Sequence, residues 1–266
     1  MFSNIQPAKN YPGIEEYFMK ILISIDDTDN LDSPGSGQVA EKLAKELQGM
    51  GMAVCSNITR HQLYVHADIP YTSHNSSMCF SASTDVAYVD TIIRFGQEFL
   101  QKESAMGSDP GLCVAVADSR LDTKALIAFG LTAKTSILTK QDAYGLANQL
   151  GVHLSEHGGT GIGVIGALAA IGLRLQGNDG RFRGWYHFGK AGETFTSADL
   201  CAHDHVDAVV DVDGELLAKD ALVVFVEDTV KTVLLGGAQV IPVTRLADAR
   251  NGAMWATLGK KEVKRF

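Results

Sequence analysis

The chain is poor in paired cysteines, in positive charge and in long apolar runs, and each shortage removes a class of function. Its four cysteines, at 55, 79, 113 and 201, stand singly. No Cys-x-x-Cys pair exists to hold a zinc ribbon or open a disulfide framework. Scattered thiols of this kind fit the reduced, mostly buried side chains of a cytoplasmic protein. Lys and Arg total 23 against 31 Asp and Glu, a net charge of −8. That argues against a broad nucleic-acid-binding surface, although a small basic pocket stays compatible with it. No apolar stretch is long enough to span a bilayer, so no membrane partner is expected. Residues 1–18 lack the basic and apolar regions of a signal peptide. They are expected to form a loosely ordered extension, with Met19-Lys20 as a plausible original start.

What the chain does have is 266 residues, 45% hydrophobic and 20% charged, enough for one large domain or two modest ones. The stretch it turns on is Ile21-Leu22-Ile23-Ser24-Ile25-Asp26-Asp27-Thr28-Asp29. A short isoleucine-rich run reads as a buried strand. It delivers Asp26, Asp27 and Asp29 to its C-terminal end, where ligands bind in open α/β sheets. If the chain stays extended through Thr28, Asp27 and Asp29 share a face. Crowded carboxylates repel, and a hard cation with oxygen ligands relieves them, Mg²⁺ foremost where phosphate is the co-ligand. The alternative is a solvated acidic turn. The apolar strand before the acids and the glycine turn after them favour a metal–phosphate site.

Val39, Leu43, Leu47 and Met50 then recur at helical spacing. The backbone amides of Gly35, Ser36, Gly37 and Gln38 would lie at that helix's N-terminus, a geometry that suits a phosphate; an ordinary turn is the equal alternative there. No Gly-Lys-Ser/Thr follows, which excludes a P-loop. Residues 53–60, 63–69 and 78–82 read as strands, with Arg60-His61 between the first two and a polar loop holding His74 and Asn75 before the third. A long helix capped by Ser83 or Thr84, a buried strand over 112–117 and mostly helical structure over 122–151 follow. Gly161, Gly163 and Gly166 match a dinucleotide fingerprint on paper. The helix it opens is expected to be short, and 173–176 with 181–188 to form a hairpin about Asn178-Asp179-Gly180. A Rossmann unit requires a parallel crossover instead. The glycines therefore suggest close approach to a ligand or to a neighbouring strand. From Lys190 the texture becomes that of short strands. Asp211-Val212-Asp213-Gly214 reads as a turn, and His203-Asp204-His205 as an exposed loop with no third metal ligand at hand.

Several landmarks occur in an order that resembles the archaeal isoleucine-tRNA agmatinylcytidine synthetases. Ile25 to Asp29 is similar to their Ile-Asp-Asp-Thr-Asp opening. Ile69-Pro70-Tyr71-Thr72-Ser73-His74-Asn75 is similar to their Ile-Pro-aromatic-Lys-Thr-Arg-Gly-Asn loop, Pro110-Gly111 to a later Pro-Gly, and Gly163 to Gly172 to a segment ending in Gly-Ala-Leu-Ala-Ala-Ile-Gly. The likeness spans roughly residues 19–190. It implies an α+β / α/β fold: a kinase-like α/β domain (19–110), a ferredoxin-like α+β domain (111–190) and a small β-rich C-terminal module (191–266). It also implies ATP and Mg²⁺ as cofactors, held by Asp26, Asp27 and Asp29. The chain departs from the family where a Cys-Thr pair takes part in phosphoryl transfer: only Ser36 offers a hydroxyl here. The basic residues of the second loop have become Thr72 and His74, and the family's tRNA-gripping C-terminal modules have no clear counterpart.

The sequence therefore predicts an ATP- and Mg²⁺-dependent phosphotransferase or ligase acting on a small molecule or nucleotide. Asp26, Asp27 and Asp29 are its acid and metal residues. Gly35, Ser36, Gly37, Gln38, Gly161 and Gly163 line the phosphate, and Arg60, His61, His74 and Asn75 the substrate. A tRNA-modifying synthetase working with a partner chain is the disfavoured alternative, a non-catalytic nucleotide-binding module another. A homo-oligomer is compatible with all three.

Overall fold

The computed structural model describes residues 18–71 and 74–266. The extension over 1–17 and the loop residues Thr72 and Ser73 lie outside the described residues. The chain divides into two compact units, one ending at Gln176 and the other starting at Gly177. The fold class is the mixed α+β one expected.

The first unit is built on β1 (Phe18–Asp26), whose Ile21 to Asp26 are all buried. It is followed by α1 (Ser36–Gly49), β2 (Ala53–Cys55), β3 (Thr59–Gln62), β4 (Ser76–Asp85), α2 (Val89–Glu103) and β5 (Gly111–Val116). Strand β1 lies between β4 and β5, antiparallel to both, with Ile25 opposite Met78 and Asp26 opposite Gly111. Strands β2 and β3 pair in succession along the other edge of β4. The order β5-β1-β4-β3, all antiparallel, is the split βαβ arrangement of ferredoxin-like domains. It runs over 18–116, whereas the sequence placed it over 111–190. The strand at 111 belongs to the same sheet as the acid-bearing strand, so the chain does not break at residue 110.

Alternation along β1 sends Ile21, Ile23 and Ile25 to one face, where α1 and α2 bring Val39, Leu43, Leu47, Ile92, Phe99 and Leu100. Leu22 and Ser24 point to the other face. That face is covered by α3 (Thr123–Thr132), α4 (Lys140–Leu150) and α5 (Gly163–Gln176), with β6 (His153–Glu156) added beside β5. Helix α5 buries ten of its fourteen residues, which makes it the central helix of this layer. Gly172 and Gly130 let it close on α3: a Cβ at Gly172 would stand 1.9 Å from the Leu126 carbonyl oxygen. Capping of α4 is local. A Thr139–Asp142 capping box opens α4, and Gly151 ends it in the left-handed conformation.

Three expected elements differ. Residues 63–69 are not a strand: Asn75 accepts from the Leu63 amide through its carbonyl (2.9 Å) and donates from Nδ2 to the Tyr64 carbonyl (2.6 Å), closing a loop instead. Residues 173–176 are the last turn of α5, because Leu173 continues its buried face, so neither the short helix nor the hairpin forms. Neither Ser83 nor Thr84 caps α2: Asp85 caps the single 3-10 turn Val86–Tyr88 that leads into it, its side chain accepting from the Ala87 amide, and α2 itself starts after Tyr88 with no side-chain cap.

The second unit holds β7 (Arg181–Phe182), β8 (Thr194–Thr196), α6 (Ser197–Cys201), β9 (Ala208–Asp211), β10 (Leu222–Val224), β11 (Val233–Leu235), β12 (Ala238–Arg250) and β13 (Ala253–Thr257). Its strands run in the order β7-β11-β12-β13-β10-β8, with β9 parallel to β12. Its cores gather Val209, Phe225, Ile241 and Val243, and Val210, Val233 and Val240. Among the described residues no helix is long and apolar enough to cross a membrane.

Candidate functional site

Strand β1 stops at Asp26 because Asp27 adopts a left-handed backbone, φ +51°. Few non-glycine residues do so, Asp and Asn most readily, and such strain gathers at functional positions. The chain therefore does not stay extended through Thr28, and the shared-face argument for Asp27 and Asp29 does not hold. A buried turn takes its place. Thr28 is 1% exposed, its carbonyl accepts from the Ala105 amide at 2.9 Å, and its amide donates to Ser36 Oγ at 3.2 Å.

This turn brings all three acids to one cleft. Asp26, Asp27, Asp29, Ser36 and Ser76 form its polar end, Gly163, Ile165 and Gly166 of α5 its side, and Ile69, Pro70, Tyr71, Ile137 and Leu138 an apolar wall. Asp68, His74, Asn75 and Ser136 add further polar groups to the lining. The enclosed cavity is about 100 Å³ and opens into a wider space of about 770 Å³ that includes its solvent-filled mouth.

Burial and neighbouring like charges dominate the electrostatics of Asp26 and Asp27. Asp26 is 9% exposed, and burial pushes its carboxyl well above the ordinary range, with the charges of Asp27 and Asp29 adding to the effect. The Asp27 amide opposes it by donating to the carboxylate. Burial, then the charge of Asp109, then that of Asp29 push the Asp27 carboxyl up to about 6. Asp29 is held differently. Ser36 Oγ donates to its Oδ1 at 2.7 Å and the Ser36 amide does so at 3.3 Å. Gly166 makes room for Asp26, since a Cβ there would lie 1.7 Å from Asp26 Oδ2.

The glycine segments are placed otherwise than the sequence suggested. Ser36 lines the cleft, but its amide serves Asp29 in place of a phosphate. Gly35 and Gly37 are not among the lining residues, and exposed Gln38 borders an outer groove with Glu41, Lys42 and Lys45. Gly163 lines the cleft and packs on Gly111, where a Cβ would meet backbone at 2.3 Å; the Gly161 amide donates to Asp109 Oδ1 at 2.9 Å. Both glycines thus serve close packing, the neighbouring-strand alternative. Of the substrate candidates, His74 and Asn75 line the cleft. His61 is fully buried, its Nε2 2.7 Å from Thr59 Oγ1, and does not reach it. Arg60 stands one bond behind, donating from Nε to Ser76 Oγ at 2.8 Å.

Asp68 and Asp109 went unremarked in the sequence as site residues. The one signal for Asp109 was an acid two residues before the strand that pairs with β1. In the second unit, His203 and His205 stack on Phe188 and Tyr186, with ring centroids 4.1 and 5.0 Å apart. Asp211 accepts from the amides of Asp213 and Glu215, the expected turn. All four cysteines are thiols; Cys79 and Cys113 are buried.

No family model matches the chain. An uncharacterised protein of Methanocaldococcus jannaschii is 27% identical over 158 residues, 58% of this chain and 50% of that protein, so the chain spans half the length of this relative. Among solved structures, TiaS in complex with its isoleucine tRNA and ATP superposes with a TM-score of 0.51 at 21% identity, covering 58% of this chain and 36% of TiaS. Apo TiaS, a tRNA agmatidine synthetase, gives 0.50 at 21% identity over 58% of this chain and 35% of its own. A tRNA fluorescent labeling enzyme gives 0.51 at 20% identity, covering 68% of this chain and 42% of its own. At these identities the likeness is one of fold.

Proposed function

We propose that the chain is an ATP-using enzyme of the tRNA-modifying type, with the acid cleft at the end of β1 holding Mg²⁺ and the nucleotide's polyphosphate. The observation that carries this is the left-handed turn at Asp27, which gathers three carboxylates at the end of one cleft against the cost of burial and mutual repulsion. The residues fit the ion. Mg²⁺ takes one or two protein carboxylates and completes its shell with water and phosphate oxygens. Among the described residues no three His, Cys, Asp or Glu side chains are grouped so as to hold a metal ion, so the three-carboxylate metal site expected from the sequence is cut back to two ligands. Asp26 and Asp27 are the proposed ligands, and Asp29, locked by Ser36, is the third acid. When bound, the ion would offset charge on the transferred phosphoryl group.

Tyr71, Ile137 and Leu138 offer an apolar wall for a base or an acceptor, with His74 and Asn75 beside it. Ser36 Oγ donates to Asp29 and accepts from Thr28 Oγ1 at 3.0 Å. The family's Cys-Thr pair is missing here, and direct transfer without a phospho-enzyme is the reading proposed, with Ser36 holding the turn through Asp29 and Thr28. The sequence ranked a small-molecule acceptor first and tRNA as disfavoured. The structural neighbours, one in complex with tRNA and ATP and another a tRNA labeling enzyme, support the reverse ranking. With a net charge of −8, a partner chain that helps to hold the tRNA fits this reading.

ATP turnover measured with and without pooled tRNA tests the proposal. Stimulation by tRNA that is lost in Asp27→Asn supports it. Turnover indifferent to both sinks the tRNA assignment.

A further inference from the structure

Asp109 directly precedes Pro110, which biases its backbone towards the extended form. Its Oδ1 accepts from the amides of Thr160 and Gly161, and its carbonyl accepts from the Gly163 amide at 3.1 Å. Three amides of the glycine-rich loop thus converge on one residue. Gly159 and Gly161 adopt left-handed backbones, φ +53° and +71°, and a Cβ at Gly159 would lie 2.3 Å from Asp109 Oδ1. Successive amides turned inwards in this way form an anion-binding concavity. Here the protein's own carboxylate fills it. Asp109 also packs against the end of the acid-bearing strand, since a Cβ at Gly163 would meet the Asp109 carbonyl oxygen at 2.2 Å and the Asp26 carbonyl oxygen at 3.1 Å. Its charge is among those that push the Asp27 carboxyl up.

We infer that Asp109 is a positioning residue with two separable roles: its oxygen latches the 158–163 loop beneath the acid cleft, and its charge makes the cleft dependent on a divalent ion. The inference rests on the reading of the cleft as a Mg²⁺–nucleotide site. Asp109 is engaged by loop amides, so it acts on the ion through the field at Asp27 and not as a ligand. A fixed negative charge behind Asp27 draws a cation in and repels a polyphosphate that arrives without one.

Asn keeps the latching oxygen and removes the charge; Ala removes both. Hydrogen exchange at the Thr160 and Gly161 amides should stay slow in Asp109→Asn and become fast in Asp109→Ala. ATP binding to the full chain is then measured by calorimetry with Mg²⁺ titrated in and with EDTA. In Asp109→Asn the Mg²⁺ concentration needed for half-maximal ATP binding should rise about five- to tenfold, the effect of removing one partly screened charge beside a divalent ion. Metal-free ATP binding should tighten about two- to fivefold for the same reason. A merely structural role would weaken both together, and that result overturns the inference. So does an Asn variant unchanged in both, or an Ala variant whose amides stay protected. If the wild-type chain binds no ATP under either condition, the reading of the cleft fails and takes the inference with it. Normal wild-type binding with an indifferent Asn variant ends the inference alone.

Discussion

Replacing Asp27 by Asn should stabilise the ligand-free protein while removing its response to Mg²⁺ and ATP. The folded protein holds this carboxyl at about 6 against an ordinary 3.8. A difference of that size corresponds to at most about 3 kcal/mol between protonation states. The side chain is partly exposed, so solvent screening reduces the figure to about 1–2 kcal/mol. Asn also tolerates the left-handed backbone at least as well as Asp. The sign follows from linkage. Because the folded value is raised, stability present below pH 4 is lost as pH rises through 6, where ionised Asp27 opposes folding. The Asn variant escapes this loss. Its advantage should be near zero at pH 4, grow between pH 4 and 6, and be complete by pH 8. In a chain of 266 residues that amounts to a rise in Tm of about 2–6 °C. Thermal unfolding followed by circular dichroism in EDTA, at both ends of this range, measures it. A variant less stable than wild type at pH 8, or one stabilised equally at pH 4 and pH 8, would refute the account of a buried, crowded carboxylate.

Other positions give sharp expectations. Gly166→Ala places a methyl where the Asp26 carboxylate lies, and a side chain can move more cheaply than backbone. The variant should fold with a loss of about 1–3 kcal/mol in chemical denaturation while losing nearly all Mg²⁺-dependent nucleotide binding. Ser36→Ala removes the 2.7 Å bond to Asp29 and should cost about 1–2 kcal/mol. Residual turnover should persist, and mass spectrometry should find no phosphate on wild-type Ser36; a phosphoserine there would contradict direct transfer. Cys79 and Cys113 are fully buried, and burial pushes the Cys79 thiol up to about 12. Both should resist an aromatic disulfide reagent at pH 8 until the chain is unfolded, and rapid labelling of either in the native protein would contradict the packing of β4 and β5 against α5.

Much of the first unit was legible because its signals are local. An isoleucine run ending in acids marks a strand end whatever surrounds it, and Val39, Leu43 and Leu47 define a buried helical stripe. What stayed hidden depends on pairing. Nothing adjacent in sequence indicates that Gly111 lies opposite Asp26, so neither the continuity of the sheet past residue 110 nor the place of Asp109 beside Asp27 could be read. The helix-terminal and glycine-loop amides raised a similar difficulty. Composition shows that donors exist, but it does not show that Asp29 and Asp109 take them. The hairpin expected at 173–188 failed because turn-forming residues after Gln176 suggested strands on both sides, while burial against α3 kept Leu173 helical. Asp27 is the instructive case. Its type is obvious in the sequence and its backbone is not, yet the turn at that residue is what makes a cleft out of an acidic run.

The central claim, that the acids at the end of β1 hold a divalent ion together with a nucleotide's phosphates, is tested most directly by titrating ATP into the chain by calorimetry, once with Mg²⁺ and once with EDTA. Saturable binding that needs the ion and disappears in Asp26→Asn is the predicted result. Binding of equal strength with the metal chelated, or undiminished in that variant, would contradict it.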